Sequence, residues 1–409
     1  MMELNIKKDK WTKVKLLDVF IKREENDKEN AHNRFDRFLK VEHLDKESLH
    51  IKRWCSQESG DEINPTFYKV FRKGQILFPT RNPHLRRTAL ASFDGVCGEK
   101  TLTLEPKPEF LIPEFIPFLF HSESFYAHTT GAIVGSTNPH VRWRDVANYE
   151  FLLPPKDQQA QLAEFLWAMD EVIERDKAVL DNLEYYKFGL IENFISKKLD
   201  WINDSPNWSK FKLKDILSIP EKIKATNIDR DKLITVRLYR KGVVKNETVD
   251  GLKIGATTYF VRRSGQFIYG KQNLHNGALG IVPDELDGFL SSSDIPTLDI
   301  NKELVVAKYL ETYIGRESFY KFLEKYSAGS GAKRISEKVL MNLEIELPPL
   351  DTQIKFIELF ESIEESLFNS QSKILGSQSL QKSLINQIFS SYDKSSEDTL
   401  TSAEAAVDK

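Results

Sequence analysis

The sequence predicts an α+β protein: two tandemly repeated globular domains separated by two long helices, the helices pairing as an antiparallel coiled coil. Three observations carry this reading. A collinear internal repeat runs through most of the 409 residues. Short β-rich segments punctuated by Gly and Pro fill each copy. Each copy then ends in a long proline-free stretch with a heptad seam.

The repeat has a period near 195 residues. Trp11-x-x-Val14-Lys15-Leu16-x-Asp18-Val19 is answered by Trp208-x-x-Phe211-Lys212-Leu213-x-Asp215-Ile216 at an offset of 197. Gly74-Gln75-Ile76-Leu77-Phe78 is answered by Gly265-Gln266-Phe267-Ile268-Tyr269 at an offset of 191. The offset then holds at 194. Ser124-Phe125-Tyr126 matches Ser318-Phe319-Tyr320, Gly135-Ser136 matches Gly329-Ser330, and Leu153-Pro154-Pro155 matches Leu347-Pro348-Pro349. Two copies make a duplicated module, not a solenoid.

Within the copies, GQILFPT, TLTLEP, TTYFVRR and QFIYGK predict strands. EFIPFLFHSESFYAHTTG and ELVVAKYLETYIGRESFYKFLEKYSAG predict helices. A long helix starts at each double proline, where a missing N–H is not needed. In the first, Leu162, Met169 and Leu183 interleave with Leu166, Ile173 and Leu180, with polar breaks at Asp176 and Lys187. In the second, Phe356 and Ile363 interleave with Phe360, Leu367 and Ile374, with breaks that include Ser370 and Gln381. Such a helix is about 60 Å long at roughly 1.5 Å per residue. Alone it would expose its stripe, so pairing of the two helices is expected, antiparallel if a perpendicular two-fold relates the copies. The alternative is that each stripe packs on its own globular domain. The expected boundaries are 1–155 for the first globular domain, 156–200 for the first helix, 201–347 for the second domain and 348–390 for the second helix. Residues 391–409 read as a mobile acidic tail.

The net charge of −3 hides an uneven distribution. Residues 66–100 hold seven Lys/Arg against two Asp/Glu, and residues 230–275 hold ten against three. Residues 350–409 hold five against ten. Two basic surfaces on an otherwise acidic particle fit nucleic-acid contact; solvated faces clustered by chance are the plainer alternative. Two cysteines exclude a disulfide framework and a Cys-rich zinc site, and point to a reducing cytoplasm. No apolar run is long enough to span a membrane, and none reads as a secretory signal.

A catalytic site is not legible. The chain has no Walker A motif, no HExxH and no His/Cys pattern with metal-ligand spacing. Its Pro-Pro pairs read LPPK and LPPL, without the polar first and aromatic last residue of an amino-methyltransferase tetrapeptide. Pro283-Asp284 is followed by no clear Glu-x-Lys and reads as a turn.

These motifs resemble the specificity (S) subunit of type I restriction–modification systems. The resemblance rests on the tandem Trp-x-x-φ-x-Leu-x-Asp opening, the Gly135-Ser136-Thr137 loop, the φ-Pro-Pro-x-x-x-Gln helix start and the duplicated long helix. It covers about residues 10–390. The second copy departs at Gly329-Ser330-Gly331, and Gln158-Gln159 and Thr352-Gln353 stand where the family has Glu-Gln. The resemblance implies a non-catalytic subunit whose globular domains are target recognition domains, each reading half of a bipartite, asymmetric target in double-stranded DNA. It implies that the paired helices set the spacer and dock two modification (methyltransferase) subunits, which restriction (translocase–nuclease) subunits join. No cofactor is then expected in this chain, and S-adenosylmethionine, ATP and Mg²⁺ belong to the partners.

The candidate DNA contacts follow from side-chain chemistry. Arg bonds guanine and Asn bonds adenine bidentately. In the first copy these are Arg81, Asn82, Arg86 and Arg87, in a loop that follows a strand. In the second copy Lys271, Gln272, Asn273 and Asn276 form a run dense in base-edge hydrogen bonders, with Arg237, Arg240, Lys241, Arg262 and Arg263 upstream. Asn276-Gly277 is equally a β-turn signal. Ser136, Thr137 and Ser330 precede short helical stretches and fit either phosphate contacts or N-caps. His140, Arg142 and Arg144, and Lys333 and Arg334, would then grip the backbone. Trp11 and Trp208 read as core. Two rival functions are a self-contained nuclease or methyltransferase assembled from distant residues, and a scaffold that uses only the coiled coil.

Overall fold

The computed structural model describes residues 6–199, 208–247, 257–327 and 334–390. The expected tail, 391–409, lies outside them. The chain divides into two compact units, residues 1–180 with 370–409, and residues 181–369.

The first unit opens with strand Thr12–Lys15, paired antiparallel with Glu150–Leu153. The repeated Lys-Leu-x-Asp motif ends this strand. The Asp18 carboxylate accepts from the Lys15 N–H at 2.9 Å and caps a single helical turn, Leu16–Val19. Beyond it, Phe20–Arg23, Thr101–Pro106, Ile76–Pro79 and Ala89–Leu90 form an antiparallel four-stranded sheet in that order. A second sheet runs Cys55–Ser56, Arg37–Leu39, Gly95–Cys97, Lys69–Phe71 and contains one parallel pair. The stretch expected as one helix is two. Ile116–His121 is a 3-10 helix with Pro117 near its start, and Ser122 caps a new α-helix, Glu123–Gly131.

In the second unit the opening repeats. Ser209–Lys212 pairs with Glu344–Leu347, and Asp215 accepts from the Lys212 N–H at 2.8 Å. The four-stranded sheet runs Leu217–Ser218, Thr297–Ile300, Phe267–Tyr269, Leu279–Ile281. It is joined by the hairpin Ile234–Val236/Val243–Lys245 and the pair Tyr259–Val261/Leu290–Ser292. The helical stretch is again divided, as Ala307–Ile314 and Glu317–Phe322, at Gly315-Arg316. Trp11 lies in the first core, and Trp208 packs against the second.

Each long helix has 40 residues, Lys156–Ile195 and Leu350–Phe389, both starting directly after the double proline. In the first unit Asp176 meets Lys373 at 2.9 Å and the Leu166 carbonyl meets Gln381 at 3.3 Å. Numbers fall on one helix as they rise on the other, so the pairing is antiparallel. In the second unit Lys187 meets Glu364 at 2.6 Å, and the Phe194 and Phe356 rings lie 4.1 Å apart, in the same sense. The polar breaks at Asp176 and Lys187 are therefore cross-helix ion pairs, which fix register. None of the expected seam residues is exposed: Leu166, Ile173, Phe356, Phe360, Leu367 and Ile374 are buried, and Leu162, Met169, Leu180, Leu183 and Ile363 are half-buried. The helices also pack on the domains. Leu166, Leu384 and Ile388 enter the first core, and Phe194, Phe356 and Phe360 enter the second.

The repeated glutamine after the prolines has a structural task. The Gln159 side chain, 1% exposed, accepts from the Ile112 N–H at 2.9 Å and donates to the carbonyls of Phe110 and Pro154 at 3.0 and 2.8 Å. Gln353, fully buried, accepts from the Val306 N–H at 3.0 Å and donates to Leu304 and Pro348 at 3.0 and 2.9 Å. Each clasps a long helix to the segment that enters the domain's own helices. Gln159→Leu should destabilise the first unit by about 2 kcal/mol or more, since orphaned buried polar groups cost ~1–3 kcal/mol each. A urea denaturation midpoint unchanged from the parent would contradict this.

Candidate nucleic-acid interface

In the first unit, backbone hydrogen bonds join two loops into one edge. Strand Ile76–Pro79 leads into Thr80, whose carbonyl accepts from the Val141 N–H at 3.0 Å. Arg81 pairs with His140 through the backbone, and the Asn82 N–H donates to Pro139 at 2.9 Å. Val134 and His140 pair across the intervening turn. Gly135 takes φ +84° there, and a Cβ would lie 3.1 Å from the Asn138 carbonyl oxygen, so glycine is required. The edge exposes Arg81, Ser136, Thr137 and Arg142, with His140 half-buried. Among the described residues no carboxylate lies within ion-pair distance of Arg81 or Arg142, while Arg144 pairs with its neighbour Asp145 at 3.4 Å.

Arg86 and Arg87 are placed differently from the sequence expectation. Arg86 forms a two-pronged bond to Glu123, one arm at 2.6 Å, reaches Glu47 at 3.2 Å, and covers the Tyr126 ring at 4.9 Å. The guanidinium, with help from Lys382 at 2.8 Å, holds the Glu123 carboxyl at about 2. Arg87 is half-buried and donates to the Val41 carbonyl at 3.4 Å. Both arginines face protein acceptors, so they anchor the loop from behind. The Arg86 charge is already engaged by carboxylates, and half-buried Arg87 faces only a carbonyl, so among the described residues Arg81 and Arg142 are the exposed arginines of this edge without a carboxylate partner.

The second unit repeats the tie at shifted numbers: the Ile335 N–H donates to the Lys271 carbonyl at 2.9 Å. Beside it the turn at residues 270–277 carries exposed Asn273 and half-buried Gln272 and Asn276. Asn276 donates to the Asn273 side-chain oxygen at 3.2 Å, and Gly277 takes φ +74°, so the segment is a turn that also presents amides. The hairpin tip at 237–242 is bonded to this turn, bringing exposed Arg237 and Lys241 to the same edge, while the half-buried Arg240 guanidinium lies against Gly315. Lys271 pairs with Glu337 at 3.0 Å and Arg334 with Asp294 at 3.3 Å. Ser330 and Lys333 lie outside the described residues.

Two expected contacts are corrected. Arg262 is 5% exposed and donates to the Ser291 hydroxyl at 2.6 Å and to the carbonyls of Ser292 and Ile295 at 3.1 and 3.0 Å. It is an interior strut. Arg263 sits at the opposite end of strand Phe267–Tyr269 from the 270–277 turn and pairs with Asp287 at 3.5 Å. Its counterpart Arg72 occupies the same Gly-Gln turn in the first unit and pairs with Asp94. A run of basic residues in sequence thus splits between two ends of a strand, which composition alone does not show.

The described residues contain no group of three His, Cys, Asp or Glu arranged for a metal ion. His50 Nε2 and Asp170 lie 2.5 Å apart, which raises the imidazole above its usual range, but the nearby Ser48 hydroxyl bonds the His50 backbone and not its ring. Burial pushes the Cys97 thiol up to about 12, away from nucleophilic use. Asp284 accepts from the Ser264 hydroxyl, consistent with a turn. No helix among the described residues is long and apolar enough to cross a membrane.

Two domains of one plan, each ending in a loop edge and joined to paired helices, define a duplicated recognition protein. The profile of the type I restriction modification DNA specificity domain matches twice, over residues 8–185 and 206–375, and the chain belongs to that family. It is a DNA-recognition subunit with two target recognition domains. The MjaIX specificity subunit of Methanocaldococcus jannaschii is 21% identical over 364 residues, covering 83% of this chain and 82% of the relative. The MjaVIII specificity subunit of the same organism is 24% identical over 293 residues, covering 66% and 68%. Among solved structures, a type I restriction–modification S subunit from M. genitalium matches with a TM-score of 0.58 at 13% identity, over 96% of this chain and 99% of that one. A chain from a structure of type I complex assembly matches with a TM-score of 0.53 at 17% identity, over 93% and 97%.

Proposed function

We propose that each unit reads one half of a bipartite, asymmetric target in double-stranded DNA through its loop edge, without chemistry of its own. The observation that carries this is the repeated tie, Thr80 to Val141 and Lys271 to Ile335, which places equivalent loops on like frameworks while their side chains differ. Loops held by a rigid scaffold are where recognition is built. Unlike loops on one framework suit unlike half-sites. The paired helices act as the spacer between readers and as the dock for two modification subunits, which restriction subunits join. Exposed apolar side chains at heptad spacing, Phe165, Val172 and Val179, at 49, 41 and 46% exposure, support a docking role on the first helix. S-adenosylmethionine, ATP and Mg²⁺ are assigned to those partners, and the complex acts in the cytoplasm.

Replacing Arg81 and Arg142 by Ala should weaken duplex binding and flatten its salt dependence, by roughly one unit of slope for each phosphate that is no longer neutralised. Replacing Arg86 should leave the salt slope unchanged, because its charge is satisfied within the protein. Equal salt slopes for the parent and the Arg81/Arg142 variant would remove this edge from the interface. Incubating the purified chain with DNA, Mg²⁺, ATP and S-adenosylmethionine separates the self-contained-enzyme alternative, which requires cleavage or methylation by the chain alone.

A further inference from the structure

The second reader presents an aromatic side chain that its fold does not use. In the hairpin tip the Lys241 N–H donates to the Leu238 carbonyl at 3.2 Å, closing a turn around Tyr239 and Arg240. Both central residues have φ +57°. That conformation suits Asn-Gly, and a bulky aromatic residue there is strained. The strain is held by the neighbouring turn: the Tyr239 N–H donates to Asn276 and the Arg240 N–H to Gly277, each at 2.9 Å. A Cβ on Gly277 would lie 3.3 Å from the Tyr239 Cα and the Arg240 nitrogen, so this glycine permits the approach. Yet the Tyr239 side chain is 64% exposed.

Folding therefore gains little from the ring and pays for its backbone. Strained, over-determined residues of this kind cluster where a protein meets its ligand. The surroundings match a nucleic acid. Arg237 and Lys241 flank the tyrosine and are exposed, with no carboxylate at ion-pair distance among the described residues, and exposed Asn273 lies on the adjoining turn. Cations on either side of an aromatic residue along an exposed turn suit phosphates flanking a contacted base step.

We propose that Tyr239 is a specificity-determining residue of the second reader, its ring set against the bases at one step of the half-site while Arg237 and Lys241 hold flanking phosphates. This rests on the reading of the 270–277 edge as DNA-facing. Glycine relieves the backbone at this position, so Tyr239→Gly separates folding from recognition.

The test uses the chain assembled with its modification subunits and a pool of randomised duplexes, with the bound fraction sequenced. For Tyr239→Gly the expected results are a thermal midpoint at or above the parent's and affinity for the parent-selected duplex lower by about tenfold or more, as for loss of one base-edge contact. The selected motif should lose preference at one or two adjacent positions of one half. The salt slope should stay that of the parent, and Tyr239→Phe should keep the parent motif. A Tyr239→Gly complex that selects the full parent motif with parent affinity overturns the proposal, as does a Gly variant that merely loses stability. Arg237→Ala checks the edge itself: if it lowers the salt slope while Tyr239→Gly changes nothing, only the role of the tyrosine fails.

Discussion

Inserting one heptad after Leu180 and one after Asn369 is expected to lengthen the non-specific gap of the DNA target by up to roughly three base pairs. Seven residues add about 10 Å at roughly 1.5 Å each, and base pairs stack at about 3.4 Å. A whole heptad keeps both apolar seams in phase, so Leu166, Ile173, Phe356 and Phe360 stay buried and the ion pairs Asp176–Lys373 and Lys187–Glu364 keep their partners. Bases read at the two ends should be unchanged, because neither loop edge is touched. A three-residue insertion in one helix should instead rotate its seam toward water and lower stability. The bound or methylated motif of the heptad variant checks the claim. An unchanged gap would leave the helices as docking surfaces only.

Exchanging residues 20–150 for those of a relative should replace one half of the target and preserve the other. The frame supports such a graft. Strand Thr12–Lys15 and the Gln159 clasp bracket the exchanged segment, and the first core is closed by the long helices, which are retained. The packing of Phe115 on Phe389 and of Phe118 on Trp167 must be matched in the donor for the chimaera to fold. A chimaera whose motif changes in both halves would contradict independent reading.

The duplication, the two helices and their pairing sense were legible in the sequence because a heptad seam and an ungapped repeat are local, periodic signals. So were the helix starts. The division of the shorter helices at Ser122 and Gly315-Arg316 was harder to read, since apolar residues resume directly after the short polar steps at 121–124 and 315–318. The candidate site was legible as loops and not as contacts. Arg81 and Arg86 stand five residues apart with like chemistry, but only the fold brings Glu123 and Glu47 to Arg86 and leaves Arg81 unpaired. Arg262 and Arg240 look alike in a basic segment, yet one is an interior strut. The glutamine clasp was visible as a repeated letter, while its partners, about fifty residues upstream, were not. Tyr239 gave no signal because its interest lies in a backbone conformation that no composition records.

Sequencing the DNA modification of cells that carry this subunit together with the proposed modification subunits tests the central claim most directly. Two short specific blocks separated by a gap of fixed length, different from each other in sequence, are the predicted motif. A single contiguous block, or a palindrome whose halves are identical, would contradict two unlike readers held apart by paired helices.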